Sequence, residues 1–484
     1  MITILFGLGI AILLASIVSI FLWSKVQFGW LTRICTLLVL SLPFEYFPRV
    51  EIAGASWRIS QVLVIIGFWV IAILLLKKDS RLLSHRLHFA SWYPLIFLGL
   101  SSPSWLSITD FQRFIVHLVG TIFVFGAFVL LANFATDIWK NLQRLTLVLF
   151  GCSIFGLYQF FGDLISIPPA FTLLREHYTK IVFGVPRVQG TAVEPLYFAG
   201  MLLIAIFVLI FWICERLDIG KKFKISTNNI LQKLTPNKKI SQIIYVQFIV
   251  HKTKFLFLFL GIIVIVFLLT ISKGTFGVLA ILILPLLIVI FFTFNFFKQY
   301  ICHHLLQGIL AVFLFTIIFF STVNPIALLG EIGTNFAETL SGTSASAVER
   351  TMFVNQASNA IYENPILGIG MGQYGDYVGN NLGTLNEDGK AIVNNVYLEI
   401  WLEEGITALF FFIFMLFQPI VFLLKSLPTR WSPLHSKNLA ALSLIFILVG
   451  YYIQWTLFSP IFIMPIFIIL GLAYNLILNH DNNV

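Results

Sequence analysis

The sequence predicts an all-α, polytopic helical membrane protein, and three observations carry that prediction. Hydrophobic residues make up 59% of the 484-residue chain and charged residues only 11%, against about 25% charged in a soluble domain. So few charges cannot clothe a water-facing surface. The apolar runs are continuous and near ~20 residues long, the length of a helical span. They lack the alternation over about 10 residues that barrel strands show. Backbone amides in lipid must be satisfied internally, so the spans are helices.

Thirteen candidate spans follow in order, near 2–23, 28–46, 60–76, 89–105, 112–133, 142–162, 195–214, 255–271, 275–297, 305–325, 399–424, 439–456 and 459–478. The first run has no basic segment before it and no small-residue cleavage site, so it reads as a retained span rather than a removed signal. With the N-terminus outside, 21 of the 30 Lys and Arg fall on the inner side. The positive-inside rule therefore places the N-terminus outside and the C-terminus in the cytoplasm. The net charge of +9 is then a product of insertion, and no nucleic-acid partner is expected. The four cysteines imply neither a disulfide nor a metal framework.

On this reading 1–484 is a single membrane domain with three notable loops. The outer loop 163–194 and the large outer loop 326–398 are long enough to expect function of them. The cytoplasmic loop 215–254 is basic and polar, a solvated linker near anionic headgroups. In the large loop, Ser346 and Glu349 make a capping box that opens a short helix. Phe353, Ala357 and Ile361 give that helix an apolar face, and Pro365 closes it. Arg350 then sits in the first turn, where it is either a solvent-exposed cation or, with the helix N-terminus, an anion site. Gly368, Gly370 and Gly372 form a backbone turn after a helix, not a nucleotide cradle.

Two further features stand upstream. Arg187 and Glu194 flank a Gly- and Pro-marked stretch before the seventh span. Lys273 lies in a very short outer hairpin, where it either snorkels to the interface or faces a ligand. Three outer cations beside a helix bundle point to an anionic headgroup. Glu194 is either a helix-start carboxylate or a general base. Among the nine histidines, His177 alone falls in an outer loop, and His117 reads as a packing residue inside a span.

Arg350…Asn364-Pro365-Ile366-Leu367-Gly368-Ile369-Gly370, then Asn394-Asn395-Val396-Tyr397-Leu398 and Glu404-Gly405-Ile406, resembles the signature region of the O-antigen ligase/polymerase superfamily. Arg187-Val188-Gln189-Gly190…Glu194-Pro195 and Ser272-Lys273-Gly274 resemble two further signatures of that group. The resemblance implies a GT-C-like, inverting and metal-independent glycosyltransferase of the bacterial inner membrane, without cofactor, working on its periplasmic face. It implies an undecaprenyl-diphosphate-linked glycan as donor, with membrane lipids and a chain-length regulator as further partners. Arg350, Lys273 and Arg187 match the diphosphate-binding cations, which without a metal must offset the growing charge of the leaving group.

The ligases carry a histidine before Asn395, followed by Asn, Ser or Gln, nine residues and Gly. Here Asn394 stands in its place and Gly405 keeps the spacing, while Ala408 replaces the Gly, Thr or Tyr expected three residues on. An amide can hydrogen-bond a sugar hydroxyl but cannot accept its proton. Glu194 is therefore the candidate base beside Asn394. The change weighs more against a ligase, which moves finished glycan to a lipid or protein acceptor, than against a polymerase, which joins lipid-linked repeat units. A transporter or flippase, the alternative of another class, needs mid-span charges or repeated broken helices, and no internal repeat is found.

Overall fold

The structure is a computed structural model that describes residues 27–44, 50–52, 55–85, 87–174, 186–192, 194–231, 236–293, 345–382, 393–427, 436–456 and 463–481. Its helices, in chain order, are α1 (Gly29–Ser41), α2 (Ile59–Leu76), α3 (Ser80–Leu83), α4 (Tyr93–Ser101) and α5 (Phe111–Phe134). Next come α6 (Ile138–Leu164), α7 (Pro169–Thr172), α8 (Pro195–Leu231), α9 (Pro236–Leu269) and α10 (Lys273–Thr293). The chain continues with α11 (Ala345–Glu363), α12 (Tyr374–Leu382), α13 (Val396–Glu404), α14 (Ile406–Ser426), α15 (Ser436–Gln454) and α16 (Met464–Asp481).

Among the described residues, seven helices are long and apolar enough to cross a membrane, and three shorter apolar helices lie at Gly29–Phe44, Thr253–Leu269 and Met464–Ile477. The expected spans at 2–23 and 305–325 lie outside the described residues.

Several expectations change in detail. A small antiparallel ribbon, β1 (Val50–Ile52) with β2 (Ala55–Trp57), interrupts the all-helical pattern. Its strands are three residues each, too short to register against twenty-residue apolar runs. The candidate span 89–105 is a composite of 3₁₀ turns at Phe89–Trp92 and Ser102–Ser107 around the short α4. The candidate span 399–424 is two helices, α13 and α14, broken at Gly405. The 215–254 stretch is helical up to Leu231 and again from Pro236.

The chain divides into two compact units. Unit 1 comprises Met1–Leu145, Ala345–Ser426 and Ile447–Val484; unit 2 comprises Thr146–Ser344 and Leu427–Phe446. In unit 1, α5 is the axis. Gly126 on α5 brings its backbone against Val64 and Phe68 of α2, and Gly471 of α16 lies against the Phe128 carbonyl of α5. Lipid tails are as apolar as a helix surface, so such close backbone approach supplies the packing that hydrophobicity alone cannot. Tyr93 and Tyr474 both reach the Gln418 carbonyl oxygen, at 2.6 and 2.9 Å, which satisfies the buried phenols.

Within unit 2, α8 is buried on nearly all sides over its apolar half and packs along α9. Gly156 of α6 lets that helix meet Val188, Val266 and Phe198 at van der Waals range. Gln159, one turn on, holds Gly190 at both ends: its amide donates to the Gly190 carbonyl at 3.1 Å, and its carbonyl accepts the Gly190 N–H at 2.7 Å.

Candidate functional site: the signature turn and the Arg187 loop

The expected apolar face of the helix in the large loop is present: Phe353, Ala357 and Ile361 are buried. Ala357 and Ile361, with Ala360, Ile369, Tyr374, Val378, Val393 and Leu402, form a core that joins α11, the following turn, α12 and α13. The helix is present from Ala345, two residues before the Ala347 start that a Ser346 cap requires. Ser346 is therefore inside α11 and Arg350 sits in its second turn, not its first. The capping-box spacing found the helix but misplaced its start by two residues, the ordinary precision of such boundaries.

After Glu363 the chain turns through Asn364–Gln373 with Gly368, Gly370 and Gly372 at φ of +78°, +105° and +76°. The turn docks on the end of α13. The Ile369 N–H donates to the Leu402 carbonyl at 2.8 Å, and the Gly370 N–H to the Glu403 carbonyl at 3.0 Å. Those carbonyls would otherwise be orphans at a helix C-terminus. A Cβ on Gly368 would sit 2.7 Å from the Glu403 backbone, and one on Gly405 (φ +87°) 2.2 Å from the Ile366 carbonyl oxygen. The two signature glycines are thus the contact between turn and break. Trp401 closes the same joint, its indole N–H donating to the Pro365 carbonyl at 3.0 Å.

Asn395 is the N-cap of α13, its side-chain oxygen accepting the Tyr397 and Leu398 N–H groups at 3.0 and 3.1 Å. The Tyr397 hydroxyl donates to the Tyr452 carbonyl at 3.0 Å. Asn394 is half-buried with φ +58°, a left-handed conformation that Asn tolerates better than most side chains.

Sequence reading overlooked the carboxylates of α13. Glu399, Glu403 and Glu404 are all buried. Glu403 accepts the Gly372 N–H at 2.7 Å and the Tyr374 N–H at 3.0 Å, closing the start of α12. Glu404 lies 2.9 Å from the Ser101 hydroxyl, which is also 2.9 Å from the Phe97 carbonyl. Burial pushes both carboxyls up, Glu403 to about 7 and Glu404 to about 8. Two backbone amides and Arg113 hold Glu403 back, while Glu404 has Ser101 alone and feels the Glu403 charge. Three acids at the head of an apolar run were the available signal, since carboxylates are rarely buried unless hydrogen-bonded or paired.

The rest of the turn is clasped from another segment. The Gln373 carbonyl oxygen accepts the Thr109 N–H, the Thr109 hydroxyl and the Asp110 N–H at 2.7–3.0 Å, and its amide donates to the Asp110 carbonyl at 3.0 Å. His117, expected to be a packing or hydrogen-bonding residue inside a span, faces Gly372, where a Cβ would lie 3.0 Å from the imidazole. His177 lies outside the described residues.

In unit 2 the structure brings Arg187 to the segment that precedes Lys273. Its Nε donates to the Thr270 carbonyl at 3.1 Å, and the Val188 N–H donates to Leu269. Burial lowers the Arg187 pKa, and the Glu194 carboxylate opposes that shift. Lys273 is the first residue of the 21-residue α10 and is exposed. Glu194 immediately precedes α8, with Pro195 as that helix's first residue. Unit 2 thus gathers two cations and one carboxylate near the start of α10, where helix amides favour negative charge.

Residues 240–413 match the family model described as O-antigen ligase. The match supports the O-antigen ligase/polymerase superfamily read from the motifs. It takes in Lys273, Arg350, the glycine turn and α13. The match covers less than half of the chain and does not separate ligase from polymerase. No curated protein matches the chain.

Proposed function

We propose that this protein is an O-antigen polymerase-like transferase that joins undecaprenyl-diphosphate-linked oligosaccharide units into surface polysaccharide. The observation that carries the reading is the family match over 240–413, a segment that holds Lys273, Arg350 and the Asn364–Gly372 turn. Arg187 and Lys273 are the proposed diphosphate ligands of unit 2, and Arg350 is proposed for the same role from α11. The Thr270 carbonyl holds Arg187 through its Nε, and a guanidinium so oriented suits phosphate oxygens. Fixed cations of this kind would offset the charge of the departing diphosphate in a metal-independent, inverting displacement.

The acceptor hydroxyl needs a base, and Asn394 is not one. Glu194, electrostatically linked to Arg187, is the proposed base, with Asn394 hydrogen-bonding a sugar hydroxyl. We place the site on the periplasmic face of the inner membrane, with a chain-length regulator as a further partner. Ligation to a lipid or protein acceptor is the second reading, favoured by the family's own description.

The test is polymer length in a host lacking its own polymerase, with membrane levels checked by blot. Wild type is expected to restore long chains, Arg350→Ala to leave single repeats at equal abundance, and Glu194→Gln to behave like Arg350→Ala. Long lipid-linked chains that accumulate without the protein would instead mark it as the ligase.

A further inference from the structure

The motif residues of the turn have been accounted for, but Glu403 has not. It is a buried carboxyl whose two oxygens are both committed to backbone amides across the joint. Gly372 N–H approaches Oε2 at 2.7 Å and Tyr374 N–H approaches Oε1 at 3.0 Å. Glu403 also receives the turn through its own carbonyl, from Gly370 at 3.0 Å. One residue of α13 therefore holds three amides between Gly370 and Tyr374. Tyr374 carries the restraint further. Its ring lies in the same apolar core as Ala357, Ala360 and Ile361 of α11, and its hydroxyl donates to the Phe353 carbonyl at 3.3 Å. Phe353 is one helical turn from Arg350. Arg113 faces the same carboxylate and is paired with Asp110 at 3.2 Å, the residue whose backbone Gln373 clasps.

We propose that Glu403 is a positioning residue, which anchors the Gly370–Tyr374 turn and through Tyr374 fixes the placement of α11, and with it Arg350, for the lipid-linked diphosphate. The proposal rests on Arg350 being a diphosphate ligand. A Gln at 403 keeps the shape but presents an NH₂ group to one of the two amides, so one anchor is lost. Tyr374→Phe removes the hydroxyl's contacts with the Phe353 carbonyl and the Gln356 side chain, both on α11, and leaves the core filled.

The experiment measures donor KM and kcat for purified E403Q and Y374F with an undecaprenyl-diphosphate-linked glycan, each also in an R350A background. Hydrogen exchange is followed across residues 353–376. The expected result is a several-fold rise in donor KM with kcat held within twofold, absent when Arg350 is already alanine, and faster exchange at 368–376. A KM effect of equal size in the R350A background overturns the proposal, as does an unchanged KM in both variants. If E403Q does not accumulate, Y374F decides by the same criteria. An R350A protein with unchanged donor KM overturns the diphosphate reading instead. Exchange then decides the anchor: faster exchange in E403Q retains it, and unchanged exchange removes it.

Discussion

Asn394 and Asn395 are adjacent and chemically identical, yet the fold uses them for different ends. Asn395 spends its side chain on two amides of α13, the work of an N-cap. Asn394 supplies a left-handed backbone. Both residues were legible as a motif, but the sequence could not say which one was scaffold. That division depends on φ, and no residue type dictates φ +58° except by tolerance. Glu404 stood in the signature, but its role was not legible, because that comes from burial and from Ser101. Its raised pKa gives a signed expectation. A carboxyl whose folded pKa lies above its unfolded value stabilises the fold fully below the unfolded pKa, and that contribution is lost as pH rises toward the folded one. The Tm of the detergent-solubilised protein should fall between about pH 4.5 and about 8, and Glu404→Gln should flatten that decline. A decline of undiminished size in the glutamine variant would remove Glu404 as its cause.

The element most misread was the break at Gly405. Hydropathy averages over a window, and across 399–424 the apolar residues outweigh the three acids. What breaks the helix is a single φ of +87° with a carbonyl 2.2 Å from the absent Cβ, invisible to any average. By contrast the helix of residues 345–363 was legible, since Phe353, Ala357 and Ile361 recur at helical spacing and all three prove buried. Gly405→Ala combines a disfavoured backbone region with a backbone clash, and strain of that kind costs roughly 1–3 kcal/mol or more. The variant should unfold at clearly lower temperature in detergent than wild type and expose the Gly368–Gln373 amides to exchange. Wild-type stability would mean that turn and break are not in contact.

For the whole molecule, composition was enough to read a helical membrane protein, since 11% charge leaves no other solvent. Span count is less secure by pattern, because a composite such as 89–105 and a broken run such as 399–424 each pass for one helix. Sidedness remains a matter of charge counting, and it has a direct test. Single cysteines in 163–194 and 326–398 should react with an impermeant thiol reagent from outside, whereas one in 215–254 should react only after the membrane is opened. Labelling of all three from one side would overturn the assigned orientation. The joint between turn and α13 carries one more consequence, concerning the order in which the chain is made. The amides of Ile369 and Gly370 are synthesised some thirty residues before the Leu402 and Glu403 carbonyls that accept them. When the end of α13 leaves the ribosome its partners already exist, so its carbonyls can be satisfied without waiting for later sequence or relying on water.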